Sequence, residues 1–525
     1  MEIELVLALG MFLCAILALL AGYPVALTLG GVALIFGFIG VELGLIPLPI
    51  LRNLPSRILG SMENQVLIAV PLFVLMGVIL ERSRVADDLL QTASRLLARV
   101  RGGLGYAVVI VGALLAASTG IVGATVITMT LIALPTMLRQ GYDPKLATGT
   151  IAASGTLGQI IPPSIVLILL ADAVSNANQS AAMRSGGGAG VVSVGDLFAG
   201  ALLPGMMLVG LYLLYLVMTA ILRPSASPAV ALDEHSEPLS FAEIARSLGA
   251  PLLLIIAVLG SILGGLASPT EASAIGAGGA LLLAGLRLAK EHGKTGDLGS
   301  IWGAFISLLL LGLLANTMDL TVNREALPTG DLIGIVFAAL LSLVFFGGLL
   351  SAARVLLRAK QFGSALTSGV QITSMVFLIL IGASLFALVF RAYGGEHYVE
   401  ALLTSIPGGL WGALAITMLV MFILGFFLDF IEIVFVVVPI VAPPLIILGA
   451  DPIWLAILMA LNLQTSFLTP PFGFALFYLR GAAPDGVETL DIWRGAIPFI
   501  GLQLIMIALV AAIPALATWL PTIAG

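Results

Sequence analysis

The chain has 525 residues, of which 60% are hydrophobic and only 10% are charged, and its mean hydropathy is +1.17. Such a composition cannot cover a globule with polar side chains, which excludes a soluble protein and predicts an all-α polytopic membrane protein. The net charge of −6 includes no basic stripe for nucleic acid, and the single cysteine excludes internal disulfides and thiolate metal clusters.

Apolar runs follow one another along the chain, and most are long enough to cross a hydrocarbon core of roughly 30 Å as helices. The first run follows two acidic residues and no basic segment, so we interpret it as a retained helix and not a cleaved signal. The polar stretches 175–195 and 223–246 are predicted to be loops, and 50–64 a surface-lying amphipathic segment. The runs lie at 4–21, 24–41, 66–80, 104–138, 146–173, 197–222, 250–267, 271–289, 301–318, 331–350, 364–390, 410–448, 452–479 and 497–520.

The run 104–138 is nearly twice the usual length and has basic residues on both flanks. By the positive-inside rule both of its ends are cytoplasmic. A segment that enters and leaves on one face is a re-entrant helical hairpin, and Ser118, Thr119 and Gly120 lie where its tip must break. Two short spanning helices are the alternative.

The second long run, 410–448, has acidic flanks, and no Lys or Arg occurs between Arg391 and Arg480. Its ends are therefore predicted to be extracytoplasmic. Seven predicted crossings separate the two long runs, and an odd number reverses the side on which the second begins. The two hairpins are thus predicted to be antiparallel, and both chain termini to be periplasmic.

A pattern of residues in the first half returns 308 positions later, as in Pro135 and Pro443. The sequence that starts at Pro24 is weakly similar to the sequence that starts at Pro269. The second half is longer than the first by a two-helix block at 298–360, which we interpret as an insertion. Two membrane-embedded copies interrupted by Gly and Pro predict an inverted-repeat secondary transporter with its site between them. The first copy has Pro135, Gly141, Asp143-Pro144 and Pro162-Pro163, and the second has Pro443, Gly449, Asp451-Pro452 and Pro470-Pro471.

The stretches 154–163 and 462–471 place hydroxyl and amide side chains beside a Pro-Pro pair in mid-helix. Prolines remove N–H donors and glycines permit unwinding, so carbonyl and hydroxyl oxygens are freed. Such hard oxygen ligands suit Na⁺ at a broken helix. The alternative is a kink whose hydroxyls bond back onto their own helix.

Three acidic residues lie in or beside membrane segments. Asp429 and Glu432 lie inside the second long run, where an ionisable group indicates a functional role. Glu271 follows Ser268-Pro269-Thr270 and could either cap the next helix or take part in function.

Five sequence runs resemble the large membrane subunit of TRAP transporters, the DctM family. The resemblance covers nearly the whole chain. It implies a sodium-driven elevator importer of the ion-transporter superfamily type in the bacterial inner membrane, and no enzyme. The runs are GYPVALTLG (22–30), STGIVGAT (118–125), GYDPKLATGTIAASGTLGQIIPPSI (141–165), SPTEASAIGA (268–277) and LTPPFGFALF (468–477).

The same resemblance implies partners: a separate small four-helix membrane subunit and a periplasmic binding protein that delivers a small organic anion, usually a carboxylate such as a C4-dicarboxylate. Na⁺ is the implied coupling ion, with no other cofactor. The implied Na⁺ ligands are Ser118, Thr119, Gly120, Ser154, Thr156, Gly158, Asn462, Thr465, Ser466 and Thr469. The implied substrate contacts are Ser118, Thr119, Thr156, Gln159, Thr465 and Asp429.

One feature departs from the family, since the 298–360 block makes this chain longer than is usual. A self-sufficient Na⁺ or H⁺ symporter without a binding protein is the alternative function.

The sequence predicts seven consecutive regions. They are scaffold and arm helices at 1–103, the first hairpin and broken helix at 104–173, connecting and scaffold helices at 174–297, the insertion at 298–360, an arm helix at 361–409, the second hairpin and broken helix at 410–480, and a C-terminal helix at 481–525.

Overall fold

The computed structural model describes residues 2–83, 85–186, 190–229, 240–291, 295–322 and 328–524, with the side chains of 2, 57, 65, 86, 118, 119, 241, 242, 246, 295 and 524 left out. Every element assigned within these ranges is helical. Eleven of the described helices are long and apolar enough to cross a membrane. The predicted all-α polytopic membrane fold is confirmed.

As far as residue 222, the described chain contains eleven α-helices and two 3-10 turns, Gln65–Ile68 and Leu157–Gln159, the second of which follows the ninth helix. The helices are α1 Glu2–Leu20, α2 Val25–Glu42, α3 Leu48–Arg52, α4 Leu54–Met62, α5 Ala69–Arg82, α6 Val85–Leu97, α7 Gly103–Thr119, α8 Val122–Arg139, α9 Pro144–Thr156, α10 Ile165–Ser185 and α11 Val194–Leu222.

The rest of the described chain contains a 3-10 turn, Pro224–Ala226, two π-helical segments, Ala245–Gly249 and Ile433–Val437, and fourteen α-helices. They are α12 Phe241–Ile244, α13 Ala250–Leu263, α14 Pro269–Glu291, α15 Thr295–Thr317, α16 Thr329–Arg358, α17 Gln361–Ala392, α18 Gly395–Ser405, α19 Leu410–Leu424, α20 Phe430–Glu432, α21 Val438–Ile447, α22 Pro452–Leu468, α23 Phe474–Ala482, α24 Thr489–Ala512 and α25 Ala515–Ala524.

The two copies of the Gly-x-Asp-Pro sequence have the same local structure. Gly141 and Gly449 have φ angles of +79° and +102°, which residues with a side chain rarely adopt. Asp143 and Asp451 then each accept a hydrogen bond of 2.9 Å from a first-turn backbone N–H, and a proline occupies the first helical position. Each copy therefore turns from α8 or α21 into the next helix in the same way.

The two copies are intertwined. α10 of the first copy packs against α21 of the second, and α23 of the second packs against α8 of the first. α24 lies along α9, where Gly149 and Gly495 bring the two backbones so close that a Cβ on either would collide with the other helix. Outside this core, α2 packs along α17 and α14 along α5. α8 corresponds to α21 and α10 corresponds to α23, so the same pair of helices packs together in both directions between the copies. An inverted repeat requires this arrangement.

The block predicted as an insertion at 298–360 forms α15 and α16. Asp297 and Arg358 form an ion pair of 3.1 Å between the two helices. Their other extensive contacts in the described part of the chain are with α14 and α17. Gly285 of α14 lies so close to Ala352 that an added Cβ would be 2.6 Å from the alanine Cβ. The extensive contacts of the block are therefore with α14 and α17 and not with the broken helices.

The prediction of a loop at 175–195 is wrong for the first half of that stretch. α10 continues through it to Ser185 and ends at Gly186, whose φ is +70°. Alanines, which have the highest helix propensity, recur through the polar sequence. Arg184 in the last turn also forms an ion pair of 2.5 Å with Glu396 of α18. Helix propensity and this tertiary contact together extend the helix beyond its apolar part.

Candidate ion and substrate site

Two helices break at the Pro-Pro pairs, one in each copy of the duplicated sequence. The first break separates α9 from α10, and the second separates α22 from α23. A proline supplies no backbone N–H, so carbonyls that precede each pair are released from the helical pattern. The pairs are Pro162-Pro163 and Pro470-Pro471, and both of their peptide bonds are cis.

The hydroxyls predicted to bind Na⁺ in these helices donate hydrogen bonds to carbonyls of their own helix. This is the geometry of a kink with hydroxyls bonded back onto the helix. It still leaves oxygen acceptors, because a hydroxyl that donates one bond keeps two lone pairs. Ser154 donates to Thr150 at 2.6 Å, Thr156 to Ala153 at 2.8 Å, Thr465 to Leu461 at 2.8 Å, Ser466 to Leu463 at 2.7 Å, and Thr469 to Thr465 at 2.7 Å.

Thr156 lies in a fully buried polar cluster that joins the two copies. Its hydroxyl accepts hydrogen bonds of 3.4 Å from Nε2 of Gln464 and of Gln503. Gln503 Nε2 also donates to the Tyr212 hydroxyl at 2.8 Å. Gln503 on α24 and Tyr212 on α11 were not predicted from the sequence. The available signal was that Gln503 is the sole amide side chain in the apolar run 497–520.

Several amide atoms in this region have no hydrogen-bond partner in the structure. The Oε1 atoms of Gln159, Gln464 and Gln503 are buried and unpaired, as is Nε2 of Gln159. Buried polar atoms in folded proteins nearly always bind a partner, which indicates that this region can hold a polar ligand such as an ion or water. Among the described residues no cluster of His, Cys, Asp and Glu could hold a metal ion, so amide, hydroxyl and carbonyl oxygens are the available ligands.

Each hairpin packs onto its own broken helix where a glycine faces a serine. A Cβ on Gly112 of α7 would lie 2.6 Å from the Cβ of Ser154. A Cβ on Gly425, just after α19, would collide with the side chain of Ser466. Asn462 adds a hydrogen bond of 2.8 Å from Nδ2 to a backbone carbonyl of α19. The structure therefore brings three of the predicted ligands against the hairpin helices.

The first hairpin turns at Gly120, which has a φ of +61°. A Cβ at this position would lie 3.2 Å from Ile165, the first residue of α10. Gly158, in the turn that follows α9, lies against α7. The tip is thus held beside the first helix break. The side chains of Ser118 and Thr119 lie outside the described residues.

Asp429 and Glu432 lie at the two ends of the short helix α20, just after the turn of the second hairpin. Asp429 accepts a hydrogen bond of 2.7 Å from the backbone N–H of Phe430 and so caps the helix. Glu432 is only 3% exposed, and its Oε2 has no hydrogen-bond partner. The two acids therefore differ: one has a structural role, and the other has an unused carboxyl oxygen.

Glu271 caps a helix, which is one of its two predicted roles. The backbone N–H and the hydroxyl of Ser268 both donate to Glu271 Oε2 at 2.8 Å. The Glu271 N–H donates in return to the Ser268 hydroxyl at 3.3 Å. This reciprocal pair is a capping box at the exposed start of α14.

Comparison with known proteins gives consistent results. The family model of the tripartite ATP-independent periplasmic transporter, DctM component, matches residues 12–355 and 290–516. The C4-dicarboxylate TRAP transporter large permease protein DctM of Vibrio cholerae is 26% identical over 98% of this chain and 97% of its own length. The ectoine TRAP transporter large permease protein TeaC of Halomonas elongata is 26% identical over 96% of this chain and 97% of its own.

A solved structure shares the fold. The YdaH transporter of Alcanivorax borkumensis matches with a TM-score of 0.51 and 14% identity over 90% of this chain and 89% of its own. The sequence relatives are transport permeases and not enzymes. The family model covers nearly all of the chain, and the resemblance noted in the sequence is confirmed. This multi-pass membrane protein belongs to the DctM family, the large permease component of tripartite ATP-independent periplasmic transporters.

Proposed function

We propose that the chain is the large permease subunit of a Na⁺-coupled secondary transporter that imports a small organic carboxylate. The moving transport domain of this elevator would comprise the hairpins α7–α8 and α19–α21 with the broken helices α9–α10 and α22–α23. One observation supports this most: the broken helices meet at Thr156 and Gln464, and each packs against its own hairpin. Ion and substrate sites of such transporters lie at broken helices between repeats.

Sodium has a physical reason to couple to an anion here. The segments 102–138, 146–183 and 398–479 contain no Lys, Arg or His, so they offer a carboxylate no cationic side chain. A bound Na⁺ about 4 Å from the carboxylate would supply roughly 4 kcal/mol of attraction at an effective dielectric constant of about 20. Substrate affinity should therefore depend strongly on Na⁺. The Na⁺ ligands we propose are the ones that the resemblance implies.

The partners follow from the family. We propose that a separate small membrane subunit docks on the scaffold helices and that a periplasmic binding protein delivers the substrate. The complex would lie in the bacterial inner membrane with both termini of this chain periplasmic. The relatives' names include C4-dicarboxylate, ectoine and sialic acid, so we take only the general class of small organic carboxylates from them.

Reconstitution tests this proposal. The chain would be placed in liposomes alone, then with a candidate small subunit, then with a candidate binding protein, under an inward Na⁺ or K⁺ gradient. We expect carboxylate uptake when all three proteins and the Na⁺ gradient are present. Equal uptake by the chain alone would instead support a self-sufficient symporter. Equal uptake under the K⁺ gradient would contradict sodium coupling.

A further inference from the structure

Two exposed arginines lie where the turn from α6 into the first hairpin touches the end of α11. Gly102, which precedes α7, donates a backbone hydrogen bond of 3.0 Å to the carbonyl of Ser227. A Cβ on Gly102 would lie 3.2 Å from the Cβ of Ala220, in the last turn of α11. Arg101 and Arg223 are therefore carried by two chain segments in direct contact.

These arginines have no acidic partner of their own. Arg99, Arg101 and Arg223 are exposed, and they form no ion pair within the part of the chain that the structure describes. Asp143 also lies in this region, since its backbone N–H donates at 3.0 Å to the loop after α11. Its side chain, however, accepts a hydrogen bond from the Lys145 N–H and caps α9. An exposed basic surface of this kind attracts an anion.

Exposed apolar side chains adjoin the arginines. α11 is long and apolar enough to cross the membrane. Leu214, Met218 and Ile221 are exposed on it at a spacing that places them along one face, next to the end where Arg223 follows. Leu96 and Val100 are exposed on α6 and on the turn after it. Arginines beside such a stripe lie at the edge of the hydrocarbon core, where lipid headgroups are found.

We propose that this surface binds an anionic phospholipid. Its phosphate would accept hydrogen bonds from Arg101 and Arg223, and an acyl chain would lie along the apolar stripe of α11. A guanidinium presents its N–H groups in a planar fork that matches two phosphate oxygens. A choline lipid carries its own cation beside the phosphate, so a lipid with net negative charge is favoured. The exposed stripe favours a lipid over a free phosphate or a soluble phosphopeptide, which has no acyl chain to cover it.

A lipid bound in this way would contact both the α6–α7 turn and the end of α11. It would hold the start of the first hairpin against α11. Neither helix break contributes to the surface, so the proposal does not depend on Na⁺ coupling or on the identity of the transported substrate.

Local enrichment of the lipid can be measured by fluorescence quenching of the full-length protein in phosphatidylcholine nanodiscs. A fluorophore is attached to Leu96→Cys in a Cys14→Ala background, and a trace of spin-labelled phosphatidylglycerol or phosphatidylcholine is added. Two arginines at about fivefold each should make quenching by the glycerol lipid at least tenfold more effective. A fluorophore on Leu13→Cys, which is exposed on α1 where no Lys or Arg occurs, should be quenched equally by both lipids.

Arginine variants test which side chains select the lipid. Arg101→Gln and Arg223→Gln should each lower the preference at the α6 fluorophore about fivefold, and the double variant should lose most of it. Both side chains are exposed and unpaired, so the variants should fold. Arg358→Gln removes an exposed arginine that is paired with Asp297, and it should keep the full preference.

Two results would overturn the proposal. Equal quenching by the two lipids at the α6 fluorophore would show that the surface does not select an anionic lipid. A preference that persists unchanged in the double variant would show that other groups hold the lipid.

Discussion

Gln464 donates a hydrogen bond of 3.4 Å to the hydroxyl of Thr156, and the two residues are equivalent positions in the two copies, 308 residues apart. A contact between equivalent positions must lie close to the pseudo-twofold axis that relates the copies. The buried cluster of Thr156, Gln464, Gln503 and Tyr212 therefore marks the centre of the intertwined core. Both helix breaks begin within a few residues of this contact.

Removing either predicted ligand hydroxyl should weaken Na⁺ binding. In Thr465→Ala the lost hydroxyl bonds only to its own helix, so folding should be nearly unchanged. In Thr156→Ala the amides of Gln464 and Gln503 also lose an acceptor, which should cost about 2 kcal/mol of stability. Uptake at graded Na⁺ concentrations should show a raised half-saturating concentration in both variants. Na⁺-independent uptake at an unchanged rate in both would contradict the ion site.

Tyr212→Phe should lower stability by about 1 kcal/mol, because Gln503 Nε2 loses its 2.8 Å bond inside the core. The matched control is Tyr215→Phe. Both tyrosine rings pack edge-on against Phe499, at centroid distances of 5.2 and 5.1 Å, but Tyr215 is only partly buried. Thermal unfolding in detergent would compare the two. Equal losses of Tm would show that the Tyr212 hydroxyl does not support the cluster.

Breaking the ion pairs of Arg184 should loosen the end of α10. Arg184 contacts Glu396 at 2.5 Å and Glu400 at 3.0 Å, with its side chain 29% exposed. We expect Arg184→Ala to lower stability by about 1 kcal/mol and to increase hydrogen exchange at 175–185. Arg358→Ala, which removes the more exposed pair with Asp297, should leave exchange at 175–185 unchanged. Unchanged exchange in Arg184→Ala would mean that propensity alone extends the helix.

Cysteine labelling tests the predicted topology. In a Cys14→Ala background, cysteines at Arg101 and Gln140, which are not buried, should react from the cytoplasmic face. Cysteines at Ser405 and Leu448 should react from the periplasmic face. Reaction of the two ends of one hairpin from opposite faces would show a pair of ordinary crossings and would contradict the elevator.

Deleting the α15–α16 block tests whether it is an insertion. Joining Gly296 to Gln361 by a short flexible linker removes two helices and keeps the orientation of every later segment. Because the block packs mainly on α14 and α17, we expect Na⁺-dependent uptake to persist, with weaker binding of the small subunit or lower stability in detergent. Loss of all uptake in a folded, membrane-inserted variant with normal partner binding would place these helices in the translocation path.

The sequence allowed the helical class and the helix breaks at the Pro-Pro pairs to be predicted, because both depend on short-range chemistry. Gly141 and Gly449 take positive φ, and Asp143 and Asp451 cap helices, for reasons visible within four residues. The extension of α10 to Ser185 was missed because part of its stabilisation comes from α18, which is more than 200 residues away in the chain.

The central cluster could be predicted only in part for the same reason. Thr156 and Gln464 lie in motifs that break a helix, and the proline pairs made them visible. Gln503 and Tyr212 belong to α24 and α11, whose neighbours in sequence are apolar. Their role depends on which helices cross at the centre, and that crossing is set by the close approach of Gly149 and Gly495. The sole amide side chain in the apolar run 497–520, that of Gln503, was the available sign.

The two helices that follow the breaks differ in length, and this makes the two faces of the protein unequal in shape. α10 has 21 residues and α23 has nine, or about 32 Å and 14 Å of helix at 1.5 Å per residue. A helix that starts near the bilayer midplane needs about 15 Å to reach the edge of the hydrocarbon core. With both breaks near the midplane, as we propose, α23 would end at that edge and α10 would extend roughly 16 Å beyond it. The face that contains the end of α10, where Arg184 binds α18, would then project further from the membrane than the opposite face at α23.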